Sequence, residues 1–67
     1  MDNNLPLEDL RIIRIREVIV LTGLSRSSIY AAVKAGTFPR QVKLSTRSSG
    51  WVRGEVIGWV KERPRGL

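Results

Sequence analysis

Thr22-Gly23-Leu24-Ser25-Arg26-Ser27-Ser28-Ile29-Tyr30 reads as the corner and opening turns of a helix-turn-helix. Just upstream, Ile15, Val18, Leu21 and Thr22 fall on one stripe of a short helix that Gly23 ends. Glycine suits the left-handed backbone that a tight helix–helix corner requires. Leu24 drops into the corner, and Ser25 stands where its hydroxyl caps the free N–H groups of the next helix. Two helices joined by so short a turn cannot lie flat against each other, so the second projects outward. A projecting helix of this kind is what enters a major groove.

Downstream, the second helix spans 26–35, with Gly36 as its stop and Pro39 just beyond. Ile29, Ala32 and Val33 cluster on its inner side, which leaves Ser27, Tyr30, Ala31 and Lys34 pointing out. Arg26 lies at the boundary and is long enough to reach outward. Ser25, Arg26, Ser27, Ser28, Tyr30, Ala31 and Lys34 are therefore the candidate recognition surface. Arg26 and Ser27 occupy the first turn, the part of such a helix that meets base edges, where an arginine pairs with guanine O6 and N7. Lys34 and the Tyr30 hydroxyl are better placed for phosphate. Phe38 is expected to fold back and close the core.

Gln41 to Ser45 alternates polar and apolar residues, predicting a half-buried strand with Val42 and Leu44 inward. The basic, turn-rich run 46–50 leads into Trp51-Val52-Arg53 as a returning strand, giving a hairpin or wing that needs a helix to pack against. Lys43, Thr46, Arg47, Ser48, Ser49 and Arg53 are its candidate contacts to backbone or minor groove. A third helix over 55–62 supplies the packing through Val56, Trp59 and Val60, with Gly54 at the expected cap and Pro64 as the stop.

At the other end, 11–14 reads as an extended lead-in to a first helix over 16–22. The fold class is mainly α with a small β-hairpin, a winged helix-turn-helix. Its organisation is a flexible acidic arm over 1–10, one domain over 11–63, and a frayed basic tail over 64–67.

Composition narrows the chemistry. A chain of 67 residues buries only ~60% of the surface its unfolded form exposes, which leaves little room for an enzyme pocket. With no cysteine and no histidine, there is no disulfide, thiol nucleophile, imidazole base or ordinary zinc site. No nucleophile–base set, carboxylate pair or Gly-rich phosphate loop is evident, so no catalytic residues, metal or cofactor are expected. No apolar run approaches the ~20 residues of a membrane span, and a cytoplasmic, nucleoid-associated location is the expectation.

Charge points to the partner. Residues 11–67 hold all twelve Lys and Arg against three acids, a net charge of +9, and arginine outnumbers lysine nine to three. That density on a small domain marks a polyanion partner, and the arginine bias favours phosphate and guanine. A sequence-specific RNA binder would display several stacking aromatics, and a protein-interaction module an exposed apolar patch. Both rank below double-stranded DNA.

Taken together, these segments resemble the AlpA family of small phage and prophage regulators, within the wider group of MerR-like winged-helix domains and excisionases. The resemblance rests on Arg14-Ile15-Arg16-Glu17-Val18, on the run from Thr22 to Tyr30, and on Gly36-Thr37-Phe38-Pro39 with Val42-Lys43-Leu44. Trp51, Glu55-Val56 and Trp59 extend it. It implies a winged helix-turn-helix, duplex DNA as ligand and a role as transcriptional regulator of a mobile element. The alternative is an excisionase that binds and bends attachment-site DNA. Because one short recognition helix reads only a few base pairs, homo-oligomerisation or cooperative assembly on DNA is expected, with integrase or RNA polymerase as candidate protein partners. The sequence departs from the family pattern at Ala31, where a base often follows the tyrosine. It departs again at Val52 and Gly54, where Trp-Arg followed by a serine cap is common.

Overall fold

A computed structural model of the chain describes residues 6–66. Residues 1–5 and 67, the outer parts of the expected arm and tail, lie outside the described residues. The fold is a winged helix-turn-helix built from three helices and a three-stranded antiparallel sheet. In chain order a 3-10 turn, Leu7–Leu10, precedes β1 (Ile12–Ile13), α1 (Ile15–Thr22) and α2 (Arg26–Ala35). The hairpin β2 (Val42–Ser45) and β3 (Ser48–Val52) follows, and α3 (Arg53–Lys61) ends the domain. The sheet order is β1-β3-β2.

The corner is built as its residues dictate. Gly23 takes φ 76° and returns its N–H to the Ile19 carbonyl at 2.8 Å. The Thr22 hydroxyl donates to the Val18 carbonyl at 2.8 Å and accepts the Leu24 N–H at 3.1 Å. That pair satisfies backbone groups the helix end would otherwise strand. Gly36, at φ 83°, ends α2 with two returning bonds: its own N–H to Val33 and the Thr37 N–H to Ala32. This is the six-to-one and five-to-two pattern of a Schellman stop.

Six apolar side chains form the buried core: Ile13, Val18, Ile29, Phe38, Trp51 and Val56. Each comes from a different segment, so the core ties β1, both helices of the corner, the α2–β2 loop, β3 and α3 together. Ile15, Ile19, Leu21, Leu24, Ala32, Val33 and Trp59 pack around it. The two tryptophans also hold the α2–β2 loop by its carbonyls. The Trp51 indole donates to Pro39 O at 2.9 Å and the Trp59 indole to Thr37 O at 2.8 Å. Phe38 meets both rings edge-on, with centroids 6.5 and 4.8 Å away, a favourable aromatic geometry.

Several expectations need correcting. The extended lead-in is a paired strand: β1 adds to β3 with Ile12 opposite Val52 and Ile13 opposite Trp51. Val42 and Leu44 do not face inward; they are 36% and 47% exposed. A bulge between Lys43 and Ser45 breaks the alternation, and β2 meets the rest of the fold chiefly through β3. Val60 is likewise exposed, because it lies in the last turn of α3 beside Lys61, Arg63, Pro64 and Arg65. The reversal of the hairpin is confined to Thr46 and Arg47, so Ser48, Ser49 and Gly50 belong to β3.

Gly54 is not a cap. Val52 holds the position before α3, and a side chain at Gly54 would sit 3.0 Å from Asp9 Cβ and from the Asp9 carbonyl oxygen. The glycine makes room for the 3-10 turn, which forms the inner end of the segment expected to be a loose arm.

Candidate nucleic-acid interface

α2 presents its outer face as the 3.6-residue period requires. Arg26, Ser27, Ser28, Tyr30, Ala31 and Lys34 are exposed, whereas Ile29 is buried and Ala32 and Val33 are half-buried against the core. Ser27, Tyr30, Ala31 and Lys34 follow the i, i+3, i+4, i+7 spacing of one helical stripe. The start of the helix is fixed by two serines. The Ser25 hydroxyl oxygen accepts the Ser28 N–H at 3.1 Å and donates to the Ser28 hydroxyl at 2.9 Å. Tyr30 is 41% exposed, yet its ring lies 6.1 Å from the ring of buried Trp51. Trp51 thus sets the lean of a tyrosine that is itself only partly covered.

The hairpin supplies a second polar surface. Gln41, Lys43, Ser45, Thr46, Arg47, Ser48 and Ser49 line one shallow concavity on it. Gln41 Nε2, just ahead of β2, donates to Ser49 Oγ on β3 at 3.2 Å, which ties the start of the hairpin to its returning strand. Arg47 stands at the reversal and Lys43 on the edge strand, both exposed. Five of the six residues expected on the wing therefore share one element. Arg53 does not: it opens α3, and its Nη1 donates to Asp9 Oδ1 at 2.9 Å with both side chains mostly buried.

The remaining ion pairs draw acids toward the same side. Arg11 Nη2 lies 3.0 Å from Glu17 Oε2 and 3.2 Å from Glu8 Oε2. Hydrogen bonding and attraction from Glu17, then attraction from Glu8, push the Arg11 guanidinium above its already high ordinary value. A raised guanidinium contributes its stabilisation at every pH below that of the free group, so this pair is constant through the neutral range. Among the described residues, Glu8, Asp9 and Glu17 thus engage only Arg11 and Arg53. Arg26, Lys34, Lys43 and Arg47 have no carboxylate of the described residues within salt-bridge distance.

Two further basic residues, outside the expected site residues, are held in place by specific contacts. Arg14 Nη1 donates to the Ser49 carbonyl at 2.9 Å, across the seam between α1 and β3. Arg63 lies 4.0 Å over the Trp59 ring and donates from Nε to the Trp59 carbonyl at 3.0 Å. Neither contact has a sequence signal, since the partners are a distant carbonyl in one case and a ring face in the other.

No group of three or more metal-binding side chains occurs among the described residues. None of their helices is long and apolar enough to cross a membrane.

A serine-capped second helix with an exposed polar face, followed by a basic hairpin, defines a small winged helix-turn-helix domain. Residues 11–64 match the family model described as prophage CP4-57 regulatory protein (AlpA). The chain belongs to this family of phage regulatory proteins. It is 42% identical over 65 residues to an uncharacterised protein, ORF88, of Enterobacteria phage P4, covering 92% of this chain and 74% of that one. It is 34% identical over 59 residues to the DNA-binding transcriptional activator AlpA of Escherichia coli strain K12, covering 79% of this chain and 84% of that one. No solved structure matches the chain significantly.

Proposed function

We propose that this chain is a sequence-specific duplex-DNA-binding regulator of transcription in a phage or prophage, acting in the cytoplasm at the nucleoid. One observation carries the reading: the exposed stripe Ser27, Tyr30, Ala31 and Lys34, opened by Arg26, on a helix whose opposite side is core. The relative named as a DNA-binding transcriptional activator supports it. α2 enters the major groove with Arg26 and Ser27 toward base edges. Tyr30 and Lys34 meet phosphates, and the hairpin lays Lys43, Thr46, Arg47, Ser48 and Ser49 against the adjacent backbone.

One short helix reads only a few base pairs, so selectivity requires repeated or paired sites occupied by neighbouring copies. Fragments bound from the host genome, selected and sequenced, define the site. Affinity for them is then measured across a salt series. Phosphate neutralisation makes log K fall linearly with log salt, by about 0.9 per phosphate contacted; binding that does not change with salt overturns the proposal. Bending analysis on promoter and attachment-site fragments separates regulation from excision, because only the excisionase must deform its DNA.

A further inference from the structure

Ten of the twelve basic side chains have no carboxylate partner among the described residues. Two of these, Arg14 and Arg63, have the guanidinium held at a defined place, Arg63 against Trp59 and Arg14 against β3 of the hairpin. Arg14 precedes α1, its Nη1 donates to the Ser49 carbonyl at 2.9 Å, and its Cδ lies 3.5 Å from where a side chain at Gly50 would begin. The stem therefore runs over a strand position kept bare by glycine. There the chain is so tight that a Cβ at Gly50 would fall 2.6 Å from Ile12 Cγ2 and from the Ile13 carbonyl oxygen.

The charge of this anchored group is left unanswered. Its partner is a neutral carbonyl, and Glu17, the nearest carboxylate along α1, is turned to Arg11. A guanidinium offers five N–H donors in a planar fork, and only Nη1 of Arg14 has a protein acceptor among the described residues. Arg14 as a residue is exposed. An arginine fixed by one bond, stripped of counter-charge and exposed is preorganised for an anion with several oxygens. It also sits between the two elements assigned to the duplex, the helix-turn-helix and the wing.

We infer that Arg14 is a seat for a backbone phosphate of duplex DNA at the seam between α1 and β3, gripping the phosphate while holding the wing at a fixed angle to α2. This rests on the duplex-binding reading above.

The test uses the full chain and a random-sequence duplex over a salt series, comparing wild type with Arg14→Gln and Arg14→Lys. Thermal melts monitor folding in each variant. Arg14→Gln binds roughly tenfold more weakly, the scale of one charge-assisted hydrogen bond, and its log K against log salt slope is shallower by about 0.9. Arg14→Lys restores the slope but only part of the affinity. In wild type, the Arg14 Nε–H resonance shifts when duplex is added. An unchanged slope in Arg14→Gln overturns the seat even if affinity falls, because a mere tether between strand and helix releases no counterion. Should the variants unfold, a wild-type Arg14 resonance that stays still in saturating duplex overturns it. Wild-type binding that ignores salt defeats the parent reading instead, so the two failures are told apart.

Discussion

Arg26 and Lys34 lie on the same helix but are assigned different work, and substitution separates them. Arg26→Ala weakens selected sites more than random duplex, by about 1–3 kcal/mol, the value of one good base pairing. Lys34→Ala and Arg47→Ala weaken both kinds of duplex alike and reduce the salt slope by about one each. A uniform loss for Arg26→Ala reassigns that side chain to the backbone. Arg53 is the counter-case. Its place just after Trp51 in the sequence puts it with the wing, yet it is claimed by Asp9, forty-four positions away. Arg53→Ala therefore lowers the melting temperature while leaving the salt slope unchanged; a shallower slope returns Arg53 to the interface. The α2 residues were legible because helical period and cap chemistry are local. The fate of Arg53 was hidden because its partner is remote in sequence.

The elements divide in the same way. α2 has the predicted bounds, since Ser25 and Gly36 are strong signals for starting and stopping a helix. α1 begins one residue early and α3 two, where no capping side chain marks the start. β1 has only two residues, too few to show a period, and its pairing partner lies some forty positions on. Alternation predicted β2, but which side of it is covered depends on what lies beneath, and the bulge at Leu44 turns apolar side chains outward. Glycine provides the sharpest test at this scale. Gly50→Ala drives a methyl group into Ile12 and into the Ile13 carbonyl oxygen at 2.6 Å. Because one obstacle is backbone, the strands must separate, at a cost of about 1–3 kcal/mol by denaturant unfolding. Gly54→Ala meets Asp9 at 3.0 Å and costs less, as the 3-10 turn is at the chain's edge. Equal stability of Gly50→Ala and wild type refutes the close approach.

Over the whole molecule, charge is sorted by what is already answered. Acids near the first strand neutralise Arg11 and Arg53, while Arg26 and Lys34 on α2 and Lys43 and Arg47 on the hairpin have no carboxylate partner among the described residues. The net charge of +6 therefore understates the field that approaching duplex meets, and association should slow steeply as salt rises. Composition revealed the excess of positive charge but not its sorting, which needs the fold. The placement of Tyr30 against Trp51 has an optical consequence. Rings 6.1 Å apart exchange excitation efficiently, so the indole beneath the wing reports on whatever touches the tyrosine above it. Trp59 is separately tied to Thr37 and Arg63 and adds only background emission. In a Trp59→Phe protein, duplex seated on α2 changes the fluorescence of the single remaining indole. The domain thus carries its own lamp beneath the surface proposed for its ligand, readable without any attached dye.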